Sequence, residues 1–197
     1  MRKNKLPGEK SVIAYLKENL TRERIGHTMA VAYLASKLAR KHGLNPARVR
    51  MAALLHDSAK NWSKQRLVRY AKSRRLPVPD LLETCRRRPR LTHAYAGASV
   101  AAKVFGITDR EILSAISKHT LGNAKMNRFE KCIYMADLAE PGRKFPEAKE
   151  LRNLAMRDLD RAFVRGVGIK IIYAIKDGRW IHPESVRVWN HWMKKTR

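Results

Sequence analysis

Met51 to Leu55 is an unbroken apolar run that ends in His56 and Asp57, so a segment that must be buried delivers an imidazole and a carboxylate to the interior. Either group buried without a partner is strongly unfavourable, so the fold has to provide a cation, a proton or hydrogen-bond donors at that point. Residues of the same chemistry recur at His27, His93, His119 and Asp137. Together these imidazoles and carboxylates can close a buried site around one or two metal ions, which argues for a metal-dependent hydrolase.

The surrounding pattern is helical. Apolar residues recur at three-to-four spacing along most of the chain, alternating strand patterns are almost absent, and glycine and proline fall where helices start or stop. The expected fold is therefore all-α, a single helical bundle over residues 1–197. Arg24 to Leu38 carries Ile25, Met29, Ala32, Leu34, Ala35 and Leu38 on one face, with His27 in its first turns and His42-Gly43 as its stop. Asn45-Pro46 reads as an N-cap followed by proline at the first helical position, opening a helix that runs to His56-Asp57. At about 1.5 Å per residue the chain rises roughly 22 Å from His27 to His42 and returns roughly 15 Å from Pro46 to His56, so an antiparallel pair brings His27 and His56-Asp57 together. Further helices are expected over 63–74, 80–87, 92–105, 109–119, 127–138, 158–176 and 185–194, with Leu76 to Pro79 and Arg88 to Arg90 as loops. His93 heads a segment rich in small residues, Ala94, Ala96, Gly97 and Ala98, that allows close backbone packing beside a site.

Composition narrows the partners. A net charge of +26 on 197 residues implies strong attraction to polyanions. The field is concentrated between Ser63 and Arg90, where ten Lys and Arg face only Asp80 and Glu83. That segment is the expected polyanion surface, RNA included. Cys85 and Cys132 lie far apart and without a second pair, which supports neither a disulfide framework nor a thiolate zinc site. The basic start, Met1 to Pro7, is followed by no apolar core of a secretion signal, because Lys10, Lys17 and Glu18 interrupt it. The best apolar stretch, Gly166 to Ile175, is broken by Lys170 and falls short of the ~20 residues that span a bilayer. A cytoplasmic protein with no membrane partner is expected; the oligomeric state is not legible.

A spaced histidine, a His-Asp pair closing an apolar helix and a distant aspartate form an H…HD…D pattern, which resembles the HD superfamily of metal-dependent phosphohydrolases. The likeness extends to the YqeK family of symmetrical diadenosine tetraphosphate hydrolases over roughly residues 10–190. It rests on Gly26-His27-Thr28, on Ala53 to Lys60, on His93 to Ala98, on Lys118 to Gly122, on Glu130 to Arg143 and on Ile181 to Ser185. The resemblance implies an HD domain in which His27, His56, Asp57 and Asp137 hold a divalent metal. Iron is the expected ion, manganese or cobalt its substitutes, and Asp57 can bridge toward a second ion. His93 and His119 complete that second position or face the phosphates. By the same likeness His27, His93, His119, Thr120, Asp137, Arg143 and the segment Trp180, Ile181, His182, Pro183, Glu184 and Ser185 line a nucleotide pocket. Asp57 and Lys60 are the expected catalytic residues, with water activated at the metal attacking the central phosphate bridge to give two ADP.

Two other functions fit the same residues. One is a different HD phosphohydrolase acting on nucleoside monophosphates, alarmones or RNA ends. The other is a basic RNA- or ribosome-associated protein with a structural metal site. Ser58 stands where the family usually shows tyrosine, and Gly122-Asn123-Ala124 lacks an arginine common there, so nucleotide affinity or substrate choice is expected to differ.

Overall fold

The computed structural model describes residues 6–194; the first five residues of the basic start read above, and residues 195–197, lie outside the described residues. Among the described residues there are eleven α-helices, one 3-10 helix and no strand. They run α1 (Glu9–Asn19), α2 (Arg22–Lys41), α3 (Pro46–Leu55), α4 (Lys64–Ser73), α5 (Leu81–Arg87), η1 (Pro89–Thr92) and α6 (His93–Phe105). The second half holds α7 (Arg110–Lys118), α8 (Arg128–Ala139), α9 (Ala148–Arg157), α10 (Leu159–Lys176) and α11 (Pro183–Met193).

The antiparallel α2/α3 pair forms as its caps dictate. The Thr21 hydroxyl accepts from Arg24 N and starts α2 two residues before the expected Arg24. Past His42, Gly43 takes φ 67°, a left-handed turn that favours glycine. The Asn45 side chain accepts from Ala47 N and Arg48 N, with Pro46 in the first turn. Val49 and Met51 to Leu55 are all buried, so α3 has almost no polar face and is wrapped by α2, α7 and α8. It stops at Leu55, and short backbone turns from Ser58 N to Leu55 O and Lys60 N to Asp57 O carry the chain through His56 and Asp57.

Three elements lie outside the sequence expectation. α1 buries only Val12 and Leu16, α9 buries Ala148, Leu151 and Ala155, and neither has a side-chain hydrogen bond at its N-cap to mark its start. Arg88 to Arg90, expected as a loop, instead opens η1, because Pro89 at its first position suits a tight helical turn.

One continuous buried cluster runs from Val12 through α2, α3, α7 and α8 to Trp192 on α11. A smaller one gathers Ala59, Trp62 and Leu67 against Ala96 and Val100 of α6. Gly97 sets the distance between α6 and the centre of the molecule. A Cβ there would stand 3.1 Å from the His56 carbonyl, a backbone atom that cannot rotate aside, and 3.3 Å from Ser58 Oγ. Gly97→Val should therefore cost about 1–3 kcal/mol of stability and displace the His56-Asp57 turn. Denaturant unfolding with a metal titration checks this, and wild-type values in both would refute the packing argument.

Candidate metal centre

Six side chains from five elements meet at the centre of the helices: His27 from α2, His56 and Asp57 after α3, His93 at the start of α6, His119 after α7 and Asp137 in α8. His56 and His119 are fully buried, and Asp57 and His93 nearly so. Ligand atoms of three overlapping sets, His27/His56/Asp57, His56/His119/Asp137 and Asp57/His93/His119, lie within 4.8 Å of one another. Asp57 joins the first to the third. Its Oδ2 is 3.7 Å from His56 Nε2, while Oδ1 is 2.9 Å from His93 Nε2 and 3.5 Å from His119 Nε2.

Three of the four imidazoles are oriented by the same device. His56, His93 and His119 each follow the last turn of a helix, and each Nδ1 lies 2.6, 2.6 and 2.7 Å respectively from the carbonyl three residues back, those of Ala53, Arg90 and Ile116. A carbonyl only accepts, so Nδ1 carries the proton and Nε2 turns its lone pair inward. Carbonyls at helix ends have acceptor capacity left over, and that of Arg90 takes both the backbone N–H and the ring Nδ1–H of His93, which is why histidine suits these positions. The inward lone pairs fit a metal. His56 Nε2 is buried with no hydrogen-bond partner, and the Nε2 atoms of His93 and His119 face each other at 3.1 Å. Two acceptors at that distance require a cation or a proton near them. His27 completes the set, with Nδ1 donating to Glu140 Oε1 at 3.2 Å and Nε2 3.1 Å from Asp137 Oδ1.

The electrostatics favour neutral rings at His56 and His93. Burial pushes His56 down to about 4, and burial with the nearby Lys60 ammonium does the same to His93. Burial alone would raise Asp57 and Asp137, yet the surrounding imidazoles hold both carboxyls well below their usual range. For His27 burial is outweighed by Asp137 and Glu140, which raise it. Neutral imidazoles beside ionised carboxylates are the forms that bind a divalent cation.

Cations and pockets border the centre. Lys60 Nζ lies 3.3 Å from Asp57 Oδ1 and 3.1 Å from His93 Nε2. Arg143 donates from Nη2 to Asp137 Oδ1 at 2.8 Å and from Nε to the Asp137 carbonyl at 2.9 Å. One pocket, about 520 Å³, opens between His27, Asp57 and Lys60 on one side and Glu140 and Arg143 on the other. A second, about 500 Å³, lies beyond Asp137 and Arg143 among Phe145, Ile169, Lys170, Tyr173 and Arg88. A third, about 110 Å³, is walled by Thr120, Lys170, Trp180, Ile181, His182 and Ser185.

The proposed nucleotide residues divide accordingly. Thr120, Trp180, Ile181, His182 and Ser185 line the third pocket, and Arg143 joins the first two. His182 also caps α11, its Nδ1 accepting from Glu184 N, and its Nε2 lies 2.9 Å from Thr84 Oγ1. Pro183 is exposed, whereas Glu184 is buried and tied to Asn123 and Arg187. Glu140, Arg24 and Lys170 also border the centre and its pockets, outside the set that the sequence singles out. Glu140 follows Asp137 by three residues, the spacing that shares a helix face, and Arg24 stands 4.0 Å from Asp57 Oδ2 one turn before His27. Lys170 was visible only as a break in an apolar run. Burial pushes its ammonium down to about 8.

Residues 24–161 match the HD domain family. The chain is 33% identical over 178 residues to a Bacillus subtilis (strain 168) protein named bis(5'-nucleosyl)-tetraphosphatase, symmetrical, covering 90% of this chain and 94% of that one. A protein of the same name from Halalkalibacterium halodurans is 33% identical over 175 residues, with 89% and 91% covered. A crystal structure from Clostridium acetobutylicum, described as a predicted HD superfamily hydrolase involved in NAD metabolism, superposes with a TM-score of 0.91 at 31% identity, covering 98% of this chain and 100% of that one.

Proposed function

The chain belongs to the HD domain family and, within it, to the symmetrical bis(5'-nucleosyl)-tetraphosphatases, and on that premise we propose that it is a cytoplasmic, metal-dependent hydrolase that splits diadenosine tetraphosphate into two ADP. The observation that carries this reading is the shared carboxylate of Asp57, set between four inward imidazoles at the mouth of a basic pocket. His27, His56, Asp57 and Asp137 hold a divalent ion, for which we favour iron, with manganese or cobalt as substitutes. His93 and His119 either complete a second position or face the phosphates. A divalent ion there lowers the pKa of water toward neutrality and draws charge from a phosphate. Glu140 fixes the ring of His27 through Nδ1. Lys60 and Arg143 stand at the two edges of the carboxylate pair, where they neutralise the charge that develops as water oxygen bonds to phosphorus and the central bridging bond breaks. One domain over 1–197 is supported by the largest buried cluster, which is continuous from Val12 to Trp192.

Product analysis tests the reading. Metal-loaded protein given diadenosine tetraphosphate should release ADP alone, and a chelator should stop the reaction. AMP with ATP would refute symmetrical cleavage, and no turnover by metal-loaded protein would favour another HD phosphohydrolase substrate such as a mononucleotide, an alarmone or an RNA end.

A second contact, with a polyanion such as RNA, is supported by the basic segment. Among the described residues only Arg86 and Arg87 of its ten cations pair with a carboxylate, that of Glu83. Arg66 is stacked on Trp62 and Arg74 lies over Tyr70, while Arg88 turns to the pockets. Removing Lys64, Arg69 and Lys72 together should weaken RNA binding and flatten its salt dependence by about three counterions, with hydrolysis unchanged. RNA binding that is unaltered by the triple change would exclude this face. No helix among the described residues is long and apolar enough to cross a membrane.

A further inference from the structure

Gly166 lets α10 lie against α8, since a Cβ there would stand 2.8 Å from Leu138 Cδ2. One turn further on, this approach carries Lys170 over the ring of Tyr134, its Nζ 4.4 Å from the centroid and 2.6 Å from the Thr120 carbonyl. The position is unusual for a cation. That neutral carbonyl is its hydrogen-bond acceptor, and among the described residues no carboxylate pairs with it. Asp137 lines the same pocket but is held by His27 and Arg143. An ammonium has three donors, of which the Thr120 carbonyl takes one and the Tyr134 ring faces another, and Lys170 lines both the second and the third pocket. Beside it, Thr120 Oγ1 is buried without a hydrogen-bond partner.

We propose that Lys170 is a phosphate-binding residue, which grips the half of the dinucleotide that extends away from the metal centre into the pockets beyond Asp137. The inference rests on the hydrolase reading above. Cleavage at the central bridge places two phosphates on each side of the metal centre, and each pair needs cations. On the side of the first pocket Arg24, Lys60 and Lys144 are available, and Arg143 lies between the two sides. On the far side Arg88, Arg179 and Lys170 line the second pocket, and of these Lys170 is the one beside Thr120, whose Oγ1 can serve as a second donor to the same phosphate oxygens. Aromatic and aliphatic walls at Phe145, Tyr173 and Ile169 lie beyond it, suited to a nucleoside.

The test compares wild type, Lys170→Met and Lys170→Arg as full-length, metal-loaded chains, with ADP and adenosine as calorimetric ligands and diadenosine tetraphosphate as substrate. Lys170→Met should weaken ADP about ten- to a hundredfold, the value of a charged hydrogen bond, and raise KM similarly. Adenosine affinity and bound metal should stay at wild-type values, and Lys170→Arg should recover part of the ADP affinity. Equal ADP affinity in wild type and Lys170→Met overturns the proposal. So does parallel loss of ADP and adenosine binding, which would mark a structural role through the Thr120 carbonyl. If wild type releases no ADP from the dinucleotide, the hydrolase reading fails, and the contrast between ADP and adenosine still decides the role of Lys170.

Discussion

Asp57→Ala is expected to lose bound metal and more than about a thousandfold in hydrolysis, beyond the hundred- to thousandfold typical of deleting one electrostatic contact. The reason is that Asp57 serves every part of the centre at once. It is 2% exposed, and its two oxygens face His56, His93, His119, Lys60 and Arg24. Alanine leaves two cations beside imidazoles with no counter-charge, so a divalent ion meets repulsion where it met a shared ligand. Asp57→Asn keeps the shape and removes the charge, and should show the same loss with less effect on folding. Metal analysis, circular dichroism and product assay on the same samples separate these effects. A folded Asp57→Ala protein with wild-type metal content and turnover would exclude the central role given to this carboxylate.

Acid should unfold the metal-free protein at a higher pH than its carboxylates alone predict. His56 and His93 sit at about 4 in the folded chain against 6.5 for the free side chain, so the unfolded chain takes up protons first as the pH falls. Stability from these two is complete above pH 6.5 and is lost progressively down to about 4. At about 1.36 kcal/mol per pH unit each contributes up to roughly 3 kcal/mol, and together they rival the margin of a typical domain. His27 acts in the opposite direction: its raised value stabilises the fold below pH 6.5 and offsets part of the loss. Asp57 and Asp137 add a further loss below the ordinary carboxylate range. Bound metal should shift the transition to lower pH, because protons and the ion compete for the same lone pairs. Denaturant midpoints from neutral pH to about 4.5, with and without metal, measure this, and a flat profile to about pH 5 would contradict it.

The site was more legible in the sequence than the scaffold around it. His56-Asp57 declared itself because an apolar run cannot end inward on two polar groups without a reason, and helix lengths alone returned it to His27. The distant members, His93, His119 and Asp137, needed the joint pattern, since a single histidine at a helix end is usually structural. Helices α1 and α9 were missed although they bury as many residues as α4 and α7, because α1 has no side-chain hydrogen bond at its N-cap, Gly8, and α9 none at Glu147, whereas Ser63 and Asp109 announce α4 and α7. Lys170 was missed for a different reason. A lysine in an apolar stretch reads as an interruption until the fold shows that the stretch passes a pocket.

The carbonyl bonds behind His56, His93 and His119 bear on how such a centre endures through evolutionary divergence. Each ring takes its orientation from the main-chain carbonyl three residues earlier, an acceptor that every amino acid provides. The side chains at Ala53, Arg90 and Ile116 therefore take no part in the hydrogen bonds that turn the rings, and what limits Ala53 and Ile116 is packing, since both are fully buried. The ring orientation thus depends on where each helix ends, so a change that shifts a helix end turns a ring even if it touches none of the histidines.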